Sequence, residues 1–120
     1  MKVLIAEDNN LIMYSISSYL KKIGYDVTES YDGNECINLL KTENFDLLIL
    51  DIFMPRLSGF DIIEKLRECD LDINKDIPIL VISAGNNDVV IKSLNLGADE
   101  YMQKPINLRE LAIRLKNIIK

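Results

Sequence analysis

Five polar residues that could carry out chemistry each stand at the end of a short apolar run. They are Glu7, Asp8, Asp51, Ser83 and Lys104. If the runs are strands of one parallel sheet, their carboxyl ends share an edge, and ligands bind in the crevice at that edge. Three carboxylates, one hydroxyl group and one ammonium group would then meet at a single site, although they are distant along the chain.

Three carboxylates held close together repel one another. At about 4 Å and an effective dielectric constant near 20, each pair costs roughly 4 kcal/mol. Lys104 brings a single positive charge, so a divalent cation is the natural second partner. Mg²⁺ prefers oxygen ligands and readily shares phosphate oxygens, and Mn²⁺ would also suit such a site. A carboxylate beside such a cation and a lysine is suited to attack a phosphoryl group.

Apolar runs and helical patterns alternate along the whole chain. The runs cover residues 3–6, 25–28, 47–50, 79–82 and 100–103. The strongest of them are continuous, as expected for parallel strands covered on both faces. Apolar residues at helical spacing fill the intervals, and the first and fourth helices are predicted to end at Gly24 and Gly97. The alternation predicts an α/β fold: a three-layer, doubly wound parallel sheet of five strands joined by right-handed crossovers.

Length and composition limit the class of protein. The chain has 120 residues, with 14 basic and 19 acidic side chains, a formal net charge of −5 and no histidine. We predict one domain, residues 1–120, that binds neither nucleic acid nor a membrane, because neither partner favours surplus carboxylates. The lack of histidine excludes Ser-His-Asp catalysis and HExxH zinc sites. No run approaches the roughly 20 apolar residues of a membrane span and no signal peptide is recognisable, so we expect a cytoplasmic protein.

Two cysteines and one polar stretch complete the pattern. Cys36 and Cys69 are isolated and fall in predicted helices, so we expect reduced thiols that serve as small buried residues. Residues 70–76 are polar and charged, and this composition predicts a surface loop.

Several short motifs occur in a fixed order along the chain. They are Glu7-Asp8; Asp51-Ile52-Phe53-Met54-Pro55 with Gly59; Ser83-Ala84; Gly97-Ala98-Asp99-Glu100-Tyr101; and Lys104-Pro105. In order and spacing this set resembles the receiver domain of two-component response regulators, the CheY-like family. The resemblance covers essentially the whole chain and implies the flavodoxin-like, CheY-like (βα)5 form of the predicted fold. Each motif alone is weakly specific, whereas the combination is highly specific.

The resemblance implies that Asp51 is a phosphoacceptor, which receives a phosphoryl group from a histidine kinase or a histidine phosphotransfer protein. Asp8 would bind Mg²⁺ directly, and Glu7 would act largely through bound water. Asp51 and the backbone carbonyl group of Phe53 would complete the protein ligands. Lys104 would pair with the acceptor carboxylate and then with its phosphate. The domain would catalyse only its own phosphorylation and dephosphorylation, so it is not expected to be an enzyme in the usual sense.

The resemblance also implies how phosphorylation changes the surface. Ser83 would move towards the phosphoryl oxygens and Tyr101 would follow it inward, while the Lys104–Pro105 peptide bond would be cis. The changed surface would comprise the fourth helix, the fifth strand and the fifth helix. Its predicted partner-facing residues are Val90, Tyr101, Gln103 and Arg114. An exposed Val90 would suit a protein partner, and a separate downstream effector protein is expected to read this surface.

Some transcriptional relatives dimerise through charged pairs across the same face. Glu100, Glu110 and Arg114 would fit such pairs. Val90 stands where the scheme needs a basic residue, so we expect a monomer or a weak dimer.

Two alternatives from other classes remain open. The first is a Mg²⁺-dependent aspartyl phosphatase or phosphotransferase, although such enzymes commonly carry a second acid two residues after the nucleophile, where this chain has Phe53. The second is a pseudo-receiver that binds partners without phosphorylation. The retention of Asp8, Asp51, Ser83 and Lys104 argues against it. Phe53 and Gly85 occupy the positions that tune water access in this family, and their opposite sizes leave the phosphoryl lifetime open.

Overall fold

Five parallel strands and five helices alternate in the computed structural model, which describes residues 1–68 and 74–119. The strands are β1 (Lys2–Ala6), β2 (Asp26–Ser30), β3 (Leu47–Asp51), β4 (Ile79–Ser83) and β5 (Glu100–Gln103). The helices are α1 (Asn10–Lys22), α2 (Gly33–Thr42), α3 (Gly59–Arg67), α4 (Asn87–Leu96) and α5 (Leu108–Ile118). The strands form one sheet in the order β2-β1-β3-β4-β5. The predicted doubly wound α/β fold is confirmed.

Helices cover both faces of the sheet and divide the core into two parts. On one face α1 and α5 contribute Met13, Ile16, Leu20, Leu111 and Leu115. On the other face α2 and α3 contribute Cys36, Ile37, Leu40, Ile62, Ile63 and Leu66. Strands β1, β3 and β4 are sandwiched between these two layers, which explains why their apolar runs are continuous. Burial of each leucine or isoleucine side chain contributes about 2 kcal/mol to the free energy of folding, so the three central strands stabilise the fold strongly.

Side-chain caps set where the helices begin. The N-cap residues are Asn9, Asp32, Ser58, Asn86 and Asn107, and each accepts a hydrogen bond from a backbone N–H group of the first turn. Ser58 and Asp61 form a reciprocal capping box at the start of α3. At the other end, Gly97 adopts a left-handed conformation with φ of 119° and closes α4 as predicted.

Arg67 and Asn74 hold the N-terminal edge of the sheet together. The Arg67 guanidinium group donates to the Gly97 carbonyl (2.9 Å), the Lys75 carbonyl (2.8 Å) and the Asp99 carboxylate (3.2 Å). The Asn74 amide donates to the carbonyls of Leu40 and Glu43, both at 2.7 Å, and its oxygen accepts from the Phe45 N–H group at 3.1 Å. We call these two side chains and their partners the N-terminal edge network. It satisfies carbonyl groups at the ends of α2 and α4, which lack partners within their helices.

The structure departs from the sequence prediction at two places. Strand β2 lies one to two residues later than predicted, because it is a half-buried edge strand with a weak apolar pattern. In the predicted surface loop, Asn74 is buried, since its amide is used by the network; residues 70–73 lie outside the described residues. Cys36 is buried in α2 as expected, and Cys69 lies outside the described residues. Within the described ranges, no helix is long and apolar enough to cross a membrane.

Candidate functional site

The C-terminal ends of four strands carry the predicted site residues. Glu7 and Asp8 directly follow β1, and Asp51 and Ser83 are the last residues of β3 and β4. Lys104 directly follows β5. The register pairs Ala6 with Leu50, Asp51 with Ile82, and Ser83 with Gln103, so the strands end level with one another. The convergence predicted from the sequence is therefore present in the fold.

Three carboxylates form an oxygen cluster at this edge. Glu7, Asp8 and Asp51 each offer an oxygen atom within 4.8 Å of the others. Glu7 and Asp51 are buried, with exposed fractions of 0% and 3%, whereas Asp8 is exposed to solvent. A cation could thus approach from the side of Asp8 and reach the two buried carboxylates behind it.

Lys104 contacts both buried carboxylates. Its Nζ atom lies 2.6 Å from Oε1 of Glu7 and 3.4 Å from Oδ2 of Asp51. The pairing with Asp51 that the resemblance implies is present, but the closer partner is Glu7, whose longer side chain reaches the ammonium group. Among the described residues, Oε1 of Glu7 has no polar partner besides this ammonium group, so the buried oxygen depends on Lys104 alone.

Burial and charge set the pKa values of the cluster. Burial, together with the negative charge of Glu7, raises the pKa of Asp51 to about 7, and Lys104 only partly opposes this. For Glu7, burial alone would raise the pKa, but the contact with Lys104 outweighs it and lowers the pKa below its usual value. The pKa of Lys104 is raised, because its two carboxylate partners outweigh the effect of burial. Glu7 and Lys104 therefore form a charged pair, and Asp51 is left short of positive charge.

The donor set suits a hard divalent cation. All three groups offer carboxylate oxygens, the ligand type that Mg²⁺ and Mn²⁺ prefer, and Oε1 of Glu7 lacks a full set of partners. Asp51 Oδ1 accepts a long hydrogen bond (3.4 Å) from the N–H group of Phe53, which places the Phe53 peptide beside the cluster. Gly59 lets α3 start against this strand end, because a Cβ atom there would lie 2.7 Å from the Asp51 carbonyl oxygen.

Ser83 and Tyr101 meet at the loop between β4 and α4. The Ser83 side chain is buried, and its Oγ accepts a hydrogen bond from the Gly85 N–H group at 3.1 Å. The half-buried Tyr101 donates its hydroxyl proton towards the carbonyls of Ser83 and Gly85, at 3.4 and 3.3 Å. The Tyr101 hydroxyl group thus lies against the loop between β4 and α4. The Lys104–Pro105 peptide bond, expected to be cis, is cis.

The proposed partner face differs from the prediction in one respect. The expectation of an exposed Val90 is wrong: its side chain is half-buried, because it lies one helical step of about 100° from Val89, which packs on the core. The exposed apolar side chains of α4 are instead Ile91 and Leu94. Gln103 is exposed.

Arg114 makes ion pairs within the chain. Its guanidinium group lies 2.8 Å from the Glu100 carboxylate and 2.9 Å from the Glu110 carboxylate. These are the three residues that the dimer scheme would use between two chains. Their pairing within one chain leaves the expectation of a monomer or a weak dimer untested.

A groove beside Lys104 was not predicted from the sequence. It encloses about 520 Å³ between α1 and the segment that leads into α5. Its walls are formed by Leu11, Ile12, Ser15, Ile16, Lys104, Pro105, Ile106 and Leu108. Leu11 is 80% exposed at its rim, and nearby Tyr14 is 66% exposed. The available signal was the position of Leu11 and Tyr14 outside the buried stripe of α1.

Comparisons with known proteins agree with the geometry. A family model of the response regulator receiver domain matches residues 3–116. The chain is 36% identical over 118 residues to the uncharacterized transcriptional regulatory protein YcbL of Bacillus subtilis, covering 98% of this chain and 50% of that protein. It is 37% identical over 118 residues to the response regulator SaeR of Staphylococcus epidermidis, covering 98% and 49%. The chain thus spans about half the length of the curated relatives it matches.

A solved structure gives the same result for the fold. The putative response regulator from Chloroflexus aurantiacus J-10-fl superimposes with a TM-score of 0.91 at 30% identity, covering 98% of this chain and 95% of that one. The sequence motifs, the parallel sheet and the acidic edge therefore have one common explanation. This chain belongs to the family of response regulator receiver domains of two-component signalling.

Proposed function

We propose that this domain is a phosphorylation-controlled switch in which Asp51 accepts a phosphoryl group from a histidine kinase or a histidine phosphotransfer protein. The observation that carries the proposal is the buried Asp51 carboxylate, which is held 3.4 Å from Lys104 and beside two further carboxylates. A carboxylate in such a position has few structural uses, since its burial raises the free energy of the charged form. Family membership supports the same assignment.

The reaction transfers the phosphoryl group from nitrogen to oxygen. An oxygen of ionised Asp51 attacks the phosphorus atom in line with the leaving imidazole nitrogen of a phosphohistidine. The oxygen–phosphorus bond forms as the nitrogen–phosphorus bond breaks, and the imidazole departs with the bonding electron pair and takes up a proton. Lys104 lies close enough to follow the new negative charge, because its Nζ atom is 3.4 Å from Asp51 before the reaction.

The acidic cluster supports a dependence on Mg²⁺. Asp8 and Asp51 would bind the ion directly with the backbone carbonyl of Phe53, and Glu7 would act through a bound water molecule. Bound Mg²⁺ supplies the positive charge that three carboxylates and one ammonium group lack. Mn²⁺, which accepts the same oxygen ligands, should substitute for it.

The groove beside Lys104 supports an approach route for the phosphodonor. Leu11 lines it with most of its surface exposed, and Lys104, which contacts Asp51, lines the same groove. A helix of the donor protein that buried Leu11 would bring a phosphohistidine towards Asp51. We assign docking of the donor to this side of the molecule, and reading by a downstream effector to the face formed by α4, β5 and α5.

Labelling with acetyl phosphate tests the proposal. We expect a stoichiometric, hydroxylamine-sensitive adduct that needs Mg²⁺ and is absent in Asp51→Asn. Asp26→Asn is the matched control, because Asp26 is an exposed aspartate at the opposite end of the sheet. Labelling that persists in Asp51→Asn would refute the assignment of the acceptor. Continuous turnover without an adduct would indicate an aspartyl phosphatase or phosphotransferase, and neither adduct nor turnover would indicate a pseudo-receiver.

A further inference from the structure

In the loop between β4 and α4, the backbone of Gly85 contacts the side chains of four residues. Its N–H group donates to Oγ of Ser83 at 3.1 Å. Its carbonyl oxygen accepts from the Tyr101 hydroxyl and from the Gln103 amide, both at 3.3 Å. A carbonyl oxygen has two lone pairs, so both donors can bind it together. On its other side, Gly85 faces Val89 in the first turn of α4.

Gly85 fits this place because it has no side chain. A Cβ atom on Gly85 would lie 2.7 Å from Cβ of Val89, closer than real contacts allow. The loop therefore rests directly on α4, and a displacement of the Gly85 backbone towards Val89 must be taken up by that helix. This contact connects the edge of the sheet that carries Asp51 to the face formed by α4, β5 and α5.

We propose that Gln103 is a positioning residue of the switch. Together with Tyr101 it holds the carbonyl group of Gly85, and through the backbone of this residue it fixes the Gly85 N–H group that orients the Ser83 hydroxyl group. This inference rests on the proposed function. Oγ of Ser83 accepts from Gly85, so its own proton stays free to donate to a phosphoryl oxygen on Asp51. The register supports the role, because Gln103 is paired with Ser83 across β4 and β5.

Because Tyr101 and Gln103 donate to the same carbonyl oxygen, we expect the effects of substituting them to be non-additive. When both are present, loss of the Gln103 amide leaves Tyr101 in place, so the loop keeps one of its two restraints. When Tyr101 is replaced by phenylalanine, the Gln103 amide becomes the remaining side-chain donor among the described residues that contact the Gly85 carbonyl. The effect of removing it should then be larger, as is usual for groups that share a partner.

Hydrogen exchange of the Gly85 amide tests the positioning role without any phosphorylation. Gln103→Met keeps the side-chain length but removes the donor, and should accelerate exchange about two- to fivefold, as expected for a partly exposed hydrogen bond. Gln103→Lys keeps a donor and should stay closer to the wild type. In the Tyr101→Phe background, Gln103→Met should have a larger effect. Unchanged exchange in Gln103→Met, or equal effects of methionine and lysine, would overturn the inference. Asn38→Ala, on the exposed side of α2, is the control.

Binding of beryllium fluoride, which mimics a phosphoryl group on a carboxylate, tests the connection to the switch. With Mg²⁺ present, Gln103→Met should weaken this binding about two- to fivefold, and Gln103→Lys should restore it in large part. Faster exchange in Gln103→Met with unchanged beryllium fluoride affinity would overturn the connection to Ser83. If the wild type binds no beryllium fluoride, the proposed function itself is wrong. The exchange data would then still report separately on the loop.

Discussion

At the N-terminal edge of the sheet, Arg67 and Asn74 each satisfy several backbone groups, whereas at the C-terminal edge two buried carboxylates share the ammonium group of Lys104. Buried polar groups occur at both edges of the same sheet, yet only the first set is well matched by its partners. A satisfied network adds stability, while crowded like charges reduce it. The comparison indicates that stability is concentrated at one edge and chemistry at the other.

The largest expected effect on stability comes from the N-terminal edge network. Asn74→Ala removes three hydrogen bonds and leaves the carbonyls of Leu40 and Glu43 without this partner, so we expect a loss of about 3 kcal/mol in the free energy of unfolding. Urea denaturation measures it, and Asn38→Ala, at an exposed position of α2, should change stability by less than about 0.5 kcal/mol. Labelling of Asp51 should persist in Asn74→Ala wherever the variant is folded. A loss as small as in the control would remove the distinction between the two edges.

At the C-terminal edge of the sheet, removal of the Asp51 charge should stabilise the protein. The native Asp51 carboxyl keeps its proton up to a pKa of about 7, whereas the unfolded chain releases it near its ordinary value of about 4. The stability that this proton supplies is therefore lost as the pH rises from about 4 through 7. Without divalent cations, Asp51→Asn should gain about 2 kcal/mol at pH 8, since asparagine resembles the protonated carboxyl.

The pH dependence is the decisive part of that prediction. At about pH 3.5 the carboxyl is largely protonated in both the native and the unfolded wild type, so the gain from Asp51→Asn should nearly vanish. Thermal unfolding at both pH values in a chelating buffer measures it, and Asp26→Asn should show no comparable change. A gain that is the same at both pH values would show that the burial of charge at Asp51 is not its cause.

The smallest effect is expected for a conservative change in the N-terminal edge network. Arg67→Lys keeps the positive charge but replaces a planar group that reaches three partners by a single ammonium group, so we expect a loss of about 1 kcal/mol. Arg109→Lys, at an exposed position of α5, should be neutral by comparison. Equal denaturant midpoints for the two variants would show that the fork geometry of Arg67 does not matter.

Much of the fold could be predicted from the sequence because its signals are local. The continuous runs of β1, β3 and β4, and the glycines after α1 and α4, predict element type and boundaries through steric and burial rules. The proximity of the three carboxylates and Lys104 could also be predicted, because the carboxyl ends of parallel strands lie at the same edge of the sheet. The predicted bounds of the edge strand β2 were one to two residues too early. This strand lacks a neighbouring strand on one side, and its apolar pattern is weak.

The features that could not be predicted depend on contacts between residues that are far apart in the sequence. Asn74 stands in a polar stretch, and nothing nearby in the sequence shows that the end of α2 would need its amide. Similarly, the closer pairing of Lys104 with Glu7 depends on the reach of two long side chains. The partial burial of Val90 depends on the orientation of α4. These details are set by packing across the sheet, which periodicity does not report.

If Asp51 is phosphorylated as proposed, the position of Lys104 has a consequence for the order of events that follow. Before the reaction its ammonium group lies nearer to Glu7 than to Asp51, by 0.8 Å as the difference between 3.4 and 2.6 Å. A phosphoryl group adds negative charge on the Asp51 side and so favours movement of the lysine away from Glu7. Glu7 then loses the counter-charge that keeps its pKa low. Loss of the phosphoryl group should therefore be followed by a return of Lys104 to Glu7, because the unpaired carboxylate attracts the ammonium group.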